Sequence, residues 1–240
     1  MAAPATKSKP AETMALRPWQ AKVIIDLRLQ DDREVTVVVD AWNESGKTTL
    51  CTYLKQHEGA IVLPATATSA NALVHFAHGK VKDDDDDMKE YLFVIDACRS
   101  VNTDAAWSEL SEALKTLKGG RLYDTRGNTC QRKRIRPPKI LVLRHEFPPV
   151  ESLTLDRWRL YFLDRRMNLH GVRPDDVPVI KAELAAAQEA GFYTWQSRRS
   201  YAANQPVNLE DIVFGVTATR AGFRAKFDAR SRAMVKACRE

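Results

Sequence analysis

The sequence predicts an α/β protein with a mostly parallel central sheet flanked by helices. Short runs of apolar, often β-branched residues recur along the chain, for example at 34–40 and 91–96. Segments with apolar residues at helical spacing separate these runs. An apolar run without polar alternation indicates a strand buried on both faces, as in a parallel sheet whose strands are joined by helices.

The first predicted element is an amphipathic helix with Pro18 in its first turn, where proline is favoured. Its apolar face carries Leu16, Trp19, Val23, Ile24 and Leu27. The elements that follow are a strand over 34–40, a helix over 46–57, a short strand over 60–63 and a helix over 69–77. Residues 79–89 are predicted to form a solvated loop, because the adjacent aspartates at 83–87 repel one another.

The second half of the chain continues the alternation as far as residue 163. The predicted elements are a strand over 91–96, a helix over 104–117 that stops at Gly119-Gly120, a basic loop over 119–139, and strands over 140–143 and 158–163. Beyond them the pattern predicts only a helix over 179–190. The chain therefore divides into a flexible leader (1–15), one domain (16–165) and a basic, partly helical C-terminal extension (166–240).

Composition narrows the class of protein. The chain has 240 residues, of which 44% are hydrophobic and 28% charged, as in a soluble globular protein. No apolar run reaches the roughly 18 residues of a membrane span, and the amino terminus lacks the apolar core of a signal peptide. Four widely spaced cysteines predict free thiols in an intracellular compartment. The net charge of +6 favours a polyanionic partner.

The segment around Gly46 has the strand–loop–helix pattern of a phosphate-binding loop. Backbone N–H groups at a helix N-terminus, together with the helix dipole, favour negative charge. Lys47 is expected to reach the outer phosphates of ATP, and Thr48 to bind Mg²⁺. The predicted nucleotide-binding residues are Asn43, Glu44, Ser45, Gly46, Lys47, Thr48 and Thr49.

One position departs from the strict phosphate-loop pattern. Ala41 stands where the first glycine is usual, five residues before Gly46, so a chance turn remains the alternative. We expect Lys47 to be exposed, so that replacing it should remove a charge without disturbing the core.

Three further residues are candidates for catalysis. Asp96 closes an apolar strand and is expected to hold Mg²⁺, although an aspartate there can also cap a helix or form a turn. His145 ends another strand and is a candidate γ-phosphate sensor, or else faces solvent. Arg157 is a candidate finger for a neighbouring subunit's nucleotide. The alternative for Arg157 is a surface ion pair with Asp156 or Glu151.

The long basic loop over 119–139 is a candidate DNA-binding segment. Arginine and lysine on such a loop suit contact with a phosphate backbone, and a tyrosine can stack on a base. The predicted DNA-binding residues are Tyr123, Arg126, Arg132, Lys133 and Arg134. A solvated hairpin without a ligand is the alternative.

Together these segments resemble the superfamily 3 helicase domain of the replication-associated (Rep) proteins of small circular single-stranded DNA viruses and related elements. The resemblance covers about residues 14–165 and rests on the order and spacing of several segments. These are Leu16-Arg17-Pro18-Trp19-Gln20, Asp32-Arg33-Glu34 with 37–40 and 46–48, residues 93–100, and Leu153-Thr154-Leu155-Asp156-Arg157-Trp158. Residues 114–120 and the basic loop resemble the family's DNA-contacting hairpin.

The resemblance implies an AAA+-like P-loop NTPase that uses ATP and Mg²⁺ to translocate on single-stranded DNA during replication of a small circular genome. It also implies a homo-hexamer with ATP at the subunit interfaces and, for a viral protein, location in the host nucleus. Asn43 stands where the family usually has glycine, and His145 where it has a sensor asparagine. Only about 15 residues precede the first helix, so the family's nickase domain is expected to be absent, and His75 and His78 lack its metal-site spacing.

Two other functions remain open from the sequence. One is a nucleotide- or DNA-binding accessory protein, derived from a helicase, in which the changes at Asn43 and His145 have abolished turnover. The other is a monomeric P-loop kinase, which the basic loop argues against. The sequence does not predict translocation polarity, ring size, source or the partner that supplies nicking.

Overall fold

In the computed structural model, seven ranges of the chain are described. They are residues 15–41, 45–64, 69–82, 89–97, 104–124, 131–164 and 166–189. The predicted ligands Asn43 and Glu44, and Arg126 of the basic loop, lie outside them. Within these ranges no helix combines the length and the apolar character needed to cross a membrane.

Helices and strands alternate, as the sequence predicts. The helices are α1 (Pro18–Arg28), α2 (Lys47–His57), α3 (Ala70–Lys80), α4 (Asp104–Lys118) and α5 (Val177–Glu189). The strands are β1 (Val35–Val39), β2 (Ile61–Leu63), β3 (Leu92–Asp96), β4 (Arg121–Asp124), β5 (Gln131–Arg134), β6 (Lys139–Arg144), β7 (Trp158–Leu163) and β8 (Leu169–Val172). Short 3₁₀ turns precede β7 and α5.

Six of the strands form one sheet in the order β2-β3-β6-β1-β7-β8. The first five are mutually parallel, and β8 runs antiparallel to β7. The predicted α/β class with a mostly parallel sheet is therefore confirmed. Because the parallel strands share one direction, their carboxyl ends meet at one edge, which we name the carboxyl edge. The opposite edge is the amino edge.

Helices cover both faces of the sheet. On one face, α1 and α2 pack their apolar residues against alternate strand positions, including Val38, Val94, Leu141 and Leu143. On the other face, α3 and α4 pack against the intervening positions, including Val37, Val39, Phe93 and Val142. Burial of both faces explains why the central strands β1, β3 and β6 are mostly apolar.

Three local differences from the sequence predictions have physical causes. The helix predicted to end at residue 77 continues to Lys80, because α3 also buries Ala77 and His78. The basic loop is a hairpin, as its resemblance to Rep proteins implied, but its antiparallel strands β4 and β5 were not predicted from the local pattern. The main sheet gains a strand that the sequence did not predict, because β8 pairs with β7, and the start of α5 joins the core.

Gly120 holds the base of the β4–β5 hairpin in place. Its φ of +66° lies in the left-handed region, and a Cβ there would stand 2.2 Å from the carbonyl oxygen of Ile135. The carbonyl of Gly120 also accepts a hydrogen bond from the Ile135 N–H at 2.9 Å. Any other residue at this position would push the two strands apart.

Candidate nucleotide-binding site

The loop after β1 leads directly into the N-terminus of α2 at the carboxyl edge. Gly46 caps α2 with φ +92° and ψ 25°, a left-handed conformation that suits glycine. The first intrahelical bond runs from the Leu50 N–H to the Gly46 carbonyl at 3.0 Å. The N–H groups of Gly46, Lys47, Thr48 and Thr49 therefore have no acceptor within the helix, as at any helix start. An anion is the natural partner for such a set of donors.

Lys47 is buried, which contradicts the expectation that it is exposed. Its Nζ lies 2.5 Å from Oδ2 of Asp40, and its side chain is only 10% exposed. The hydroxyl of Ser45 donates to the same carboxylate oxygen at 2.5 Å. Asp40 itself is fully buried at the end of β1. The spacing of apolar residues could not predict this ion pair, because it does not show in which direction the long Lys47 side chain points.

Asp40 is thus a residue of the candidate site that the sequence prediction did not single out. A phosphate that binds Lys47 must share this ammonium with Asp40 or displace the carboxylate. The signal available in the sequence was a charged residue ending an apolar strand seven positions before the lysine. Burying a carboxylate is costly unless it is paired, so this residue already implied a buried partner.

Asp96 reaches the same side of the sheet as α2. It lies opposite Leu143 of β6 in register, and it alternates with Val94, which packs in the core beneath α1 and α2. Burial and then the Asp96 carboxylate raise the pKa of the buried Cys51 thiol to about 12, while the Lys47 ammonium opposes this rise. Asp96 and Lys47 thus both influence this thiol, and Asp96 lies at the carboxyl edge on the side of the sheet that α2 covers.

His145 also lies at this site. Its Nδ1 is 2.7 Å from the backbone carbonyl oxygen of Asp40. Because a carbonyl can only accept, Nδ1 carries the proton, and in the neutral ring Nε2 is left as an acceptor. The tip of β6 lies between the tips of β1 and β3, since Asp40 N–H donates to the Arg144 carbonyl and Ala97 N–H to the Leu143 carbonyl. His145 thus stands between the lysine-bearing loop and Asp96.

Arg157 lies at the amino edge of the sheet, at the opposite end of the strands from the loop. It directly precedes β7, whose first residue, Trp158, is in register with Val35 at the start of β1. The five residue steps from Val35 to Asp40 span roughly 16 Å at about 3.3 Å per step. Within one chain, Arg157 is therefore remote from the loop, and its role toward another subunit stays a prediction. Asp156, offered as its ion-pair partner, lies 3.3 Å from Arg33.

The predicted DNA-binding residues divide into two groups on the hairpin. Lys133 donates to the carbonyls of His78 at 3.2 Å and Val81 at 2.5 Å, so it caps the end of α3. The Tyr123 hydroxyl donates to Asn71 Oδ1 at 3.1 Å. Both side chains therefore anchor the hairpin to α3.

The exposed arginines of the hairpin are Arg121, Arg132 and Arg134. Arg121 lies directly opposite Arg134, and like charges in that position repel each other. The sequence prediction omitted Arg121, because it lies outside the Arg-Lys-Arg run of β5. These three residues form the hairpin surface that is open to an anionic ligand.

Comparison with known proteins adds little to these observations. No family model matches the chain, and no curated protein matches it. Among solved structures, the chain is similar to Pif1 of a Bacteroides species, solved in complex with ADP-AlF4, with 21% sequence identity and a TM-score of 0.28. The match covers 55% of this chain and 33% of that chain. Since so weak a likeness carries no argument, the function has to be argued from the residues.

Proposed function

We propose that this protein is an ATP-dependent DNA helicase of the Rep type. One observation carries the proposal: Lys47, the start of α2 and Asp96 lie at the carboxyl edge on the same side of the sheet, in the sequence context of a phosphate-binding loop. Phosphates bind the N–H groups at the start of α2, where the helix dipole favours negative charge. Lys47 moves from Asp40 toward the outer phosphates as the nucleotide enters.

The donor set at this edge also fits Mg²⁺. Thr48 follows the lysine and is exposed, and Asp96 supplies a carboxylate. Mg²⁺ prefers oxygen ligands and is commonly held by one or two protein groups together with phosphates. The ion, when bound, neutralises charge on the phosphates. The residues of this chain hold and orient the reacting groups around it.

His145 is proposed to orient the attacking water. Its protonated Nδ1 is held by the Asp40 carbonyl, which fixes the ring and presents Nε2 as an acceptor. A water that donates to Nε2 would be held beside the outer phosphate. A histidine performs this task as the sensor asparagine of Rep proteins would, provided that its ring stays neutral.

Single-stranded DNA is proposed to bind the exposed arginines of the hairpin. The repulsion between Arg121 and Arg134 is relieved when a phosphate lies between them, which favours a polyanion. A homo-hexamer would bring Arg157 of one subunit to the nucleotide of the next. Replication of a small circular DNA genome is the biological role that the resemblance to Rep proteins supports.

The experiment that tests this function is ATP hydrolysis by the full chain with and without single-stranded DNA. A helicase hydrolyses ATP and is stimulated by the DNA. An accessory protein binds nucleotide or DNA without turnover, and this result would replace the proposed activity with binding alone. A kinase hydrolyses ATP slowly with no response to DNA, which would contradict the DNA-directed part of the proposal.

The hairpin arginines should set the salt dependence of DNA binding. Replacing Arg132 and Arg134 with alanine is expected to reduce the slope of log affinity against log salt by about 1.4, since each phosphate contact to a single strand contributes about 0.7. Fluorescence anisotropy with a labelled oligonucleotide at several salt concentrations measures the slope. Lys133→Ala is the matched control, because Lys133 is bound to α3 and should leave the slope unchanged. A slope that stays at the wild-type value in Arg132→Ala/Arg134→Ala would move the DNA site off the hairpin.

Arg157 should act across a subunit boundary. An Arg157→Ala chain lacks the finger but keeps its own loop, whereas an Asp40→Asn/Lys47→Ala chain lacks the loop lysine but still offers a finger. Mixing the two inactive proteins is expected to restore part of the DNA-stimulated ATPase activity, because some interfaces then pair an intact loop with an intact arginine. Gel filtration confirms that they assemble together. Co-assembly without any recovery of activity would leave Arg157 with a structural role.

A further inference from the structure

Side chains at the N-terminal end of α1 donate hydrogen bonds to backbone carbonyls of the phosphate-binding loop. The Arg17 Nη1 donates to the Ser45 carbonyl at 2.9 Å, and the Trp19 Nε1 donates to the same oxygen at 3.2 Å. The Gln20 Nε2 donates to the Gly46 carbonyl at 2.8 Å. Three side chains within the four-residue segment 17–20 thus donate to two consecutive carbonyls of the loop.

The orientation of the Gln20 side chain is fixed at both ends. Its Oε1 accepts the Arg17 N–H at 2.7 Å, while its Nε2 faces the Gly46 carbonyl. Flipping the amide would set two acceptors against each other at one end and two donors at the other. Gln20 is 1% exposed and Trp19 is 2% exposed, so water does not compete for these bonds.

Holding a carbonyl also fixes the N–H of the same peptide unit. The unit is planar and trans, so its C=O and N–H point in opposite directions. The unit that joins Ser45 to Gly46, and the unit that joins Gly46 to Lys47, both direct their carbonyls toward α1. Their N–H groups are those of Gly46 and Lys47, and they consequently point away from α1.

Gly46 is required for this arrangement on two grounds. Its φ of +92° lies in the left-handed region, and a Cβ would stand 3.0 Å from the Gln20 Nε2. The close approach of the α1 side chain to the loop therefore depends on a residue without a side chain.

We propose that Arg17, Trp19 and Gln20 are positioning residues for phosphate binding. They hold two loop peptide units so that the N–H groups of Gly46 and Lys47 are oriented for a phosphate before it arrives. Fixing donors in advance avoids the entropy of ordering them on binding. This inference rests on the proposed function of the loop.

Binding of MgADP to the full chain tests the inference. Gln20→Met keeps the length of the side chain and removes both hydrogen bonds. It is expected to raise the Kd for MgADP about tenfold, because misplaced N–H donors form weaker hydrogen bonds to the charged phosphates. Isothermal titration calorimetry measures the Kd, and thermal unfolding without nucleotide measures the stability of the same sample.

Gln30→Met is the matched control. Gln30 is also a buried glutamine whose amide bonds to the backbone, but it binds Ile140 near the amino edge, away from the loop. Its replacement should lower the melting temperature and leave the Kd unchanged. Trp19→Phe, which removes the Nε1 donor and keeps an aromatic ring, is the second test variant and should also raise the Kd. If Gln20→Met does not fold, the Kd of Trp19→Phe alone tests the inference.

The outcomes separate this inference from the proposed function. If the wild-type chain binds MgADP and the α1 variants bind it equally well, α1 only supports the fold and the inference is wrong while the function stands. If Gln30→Met weakens binding as much as Gln20→Met, loss of stability explains both and the inference is again wrong. If the wild-type chain does not bind MgADP, the proposed function fails first.

Discussion

Replacing Lys47 with alanine is expected to lower the rate of ATP hydrolysis at least about 100-fold, because it removes an ammonium at the start of α2 that is placed to stabilise charge on the phosphates. It should also destabilise the protein. Asp40 is fully buried and would lose its ion-pair partner, and breaking a buried pair in this way costs roughly 3–5 kcal/mol. A steady-state ATPase assay and chemical unfolding measure the two effects.

A second substitution separates the two effects. Asp40→Asn in the Lys47→Ala background removes the buried carboxylate charge that the Lys47 ammonium had balanced, and it should recover most of the lost free energy of unfolding, yet hydrolysis should stay near background. Lys55→Ala is the matched control, since Lys55 is an exposed lysine near the end of the same helix. Wild-type hydrolysis by the double variant would show that the loop is not the ATPase site.

Replacing Asp96 with asparagine should have an effect of similar size on hydrolysis, about 100-fold or more. The amide keeps the shape of the side chain but removes the charge that is expected to hold Mg²⁺ near the phosphates. Nucleotide binding should survive, because Lys47 and the helix N-terminus remain. A Kd for ADP without Mg²⁺, measured beside the ATPase rate, separates these roles.

Two further observations check the interpretation of Asp96. Asp175→Asn, a neutralisation at an exposed position after β8, should leave hydrolysis unchanged. In Asp96→Asn the pKa of Cys51 should fall below about 12, since the Asp96 carboxylate is one cause of its elevation. If Asp96→Asn hydrolyses ATP at the wild-type rate, Asp96 does not hold Mg²⁺, and its role at the end of β3 is that of a helix cap or a turn residue.

The parts of the fold that the sequence predicts well are those encoded by local pattern. The apolar runs of β1, β3 and β6 predict strands covered on both faces, because a strand with one face in water would alternate with polar residues. The turn from β1 to α2 is marked by Gly46, whose left-handed conformation is the feature a phosphate loop needs. Lys47, Asp96 and His145 lie together because they follow or end parallel strands.

Elements with polar sequences were not predicted. Strand β5 consists of Gln131-Arg132-Lys133-Arg134, whose charges carry no strand signal, and its pairing depends on Gly120 and on contacts with α3. Strand β8 contains a histidine and a glycine and has no apolar run. Both strands form because a neighbouring strand supplies the hydrogen bonds, and a single sequence does not show which strands are neighbours.

The contacts that shape the site are also not visible in local sequence. Gln20 and Gly46 are separated by 26 positions and Arg17 and Ser45 by 28, so no short motif records their hydrogen bonds. The burial of Lys47 depends likewise on Asp40, which closes the preceding strand. Tertiary packing decides such partners, whereas spacing alone predicts only which element a residue belongs to.

Hydrogen–deuterium exchange of the full chain with and without MgADP tests the central claim most directly, since it locates the nucleotide without relying on activity. The amides of Gly46, Lys47, Thr48 and Thr49 are expected to exchange more slowly when the nucleotide is bound, because they become donors to its phosphates. Peptides from the amino edge, such as those around Arg28 and Lys139, should exchange at an unchanged rate. Protection confined to the amino edge, or no protection at the start of α2 at saturating MgADP, would contradict the assignment of this loop as the phosphate site.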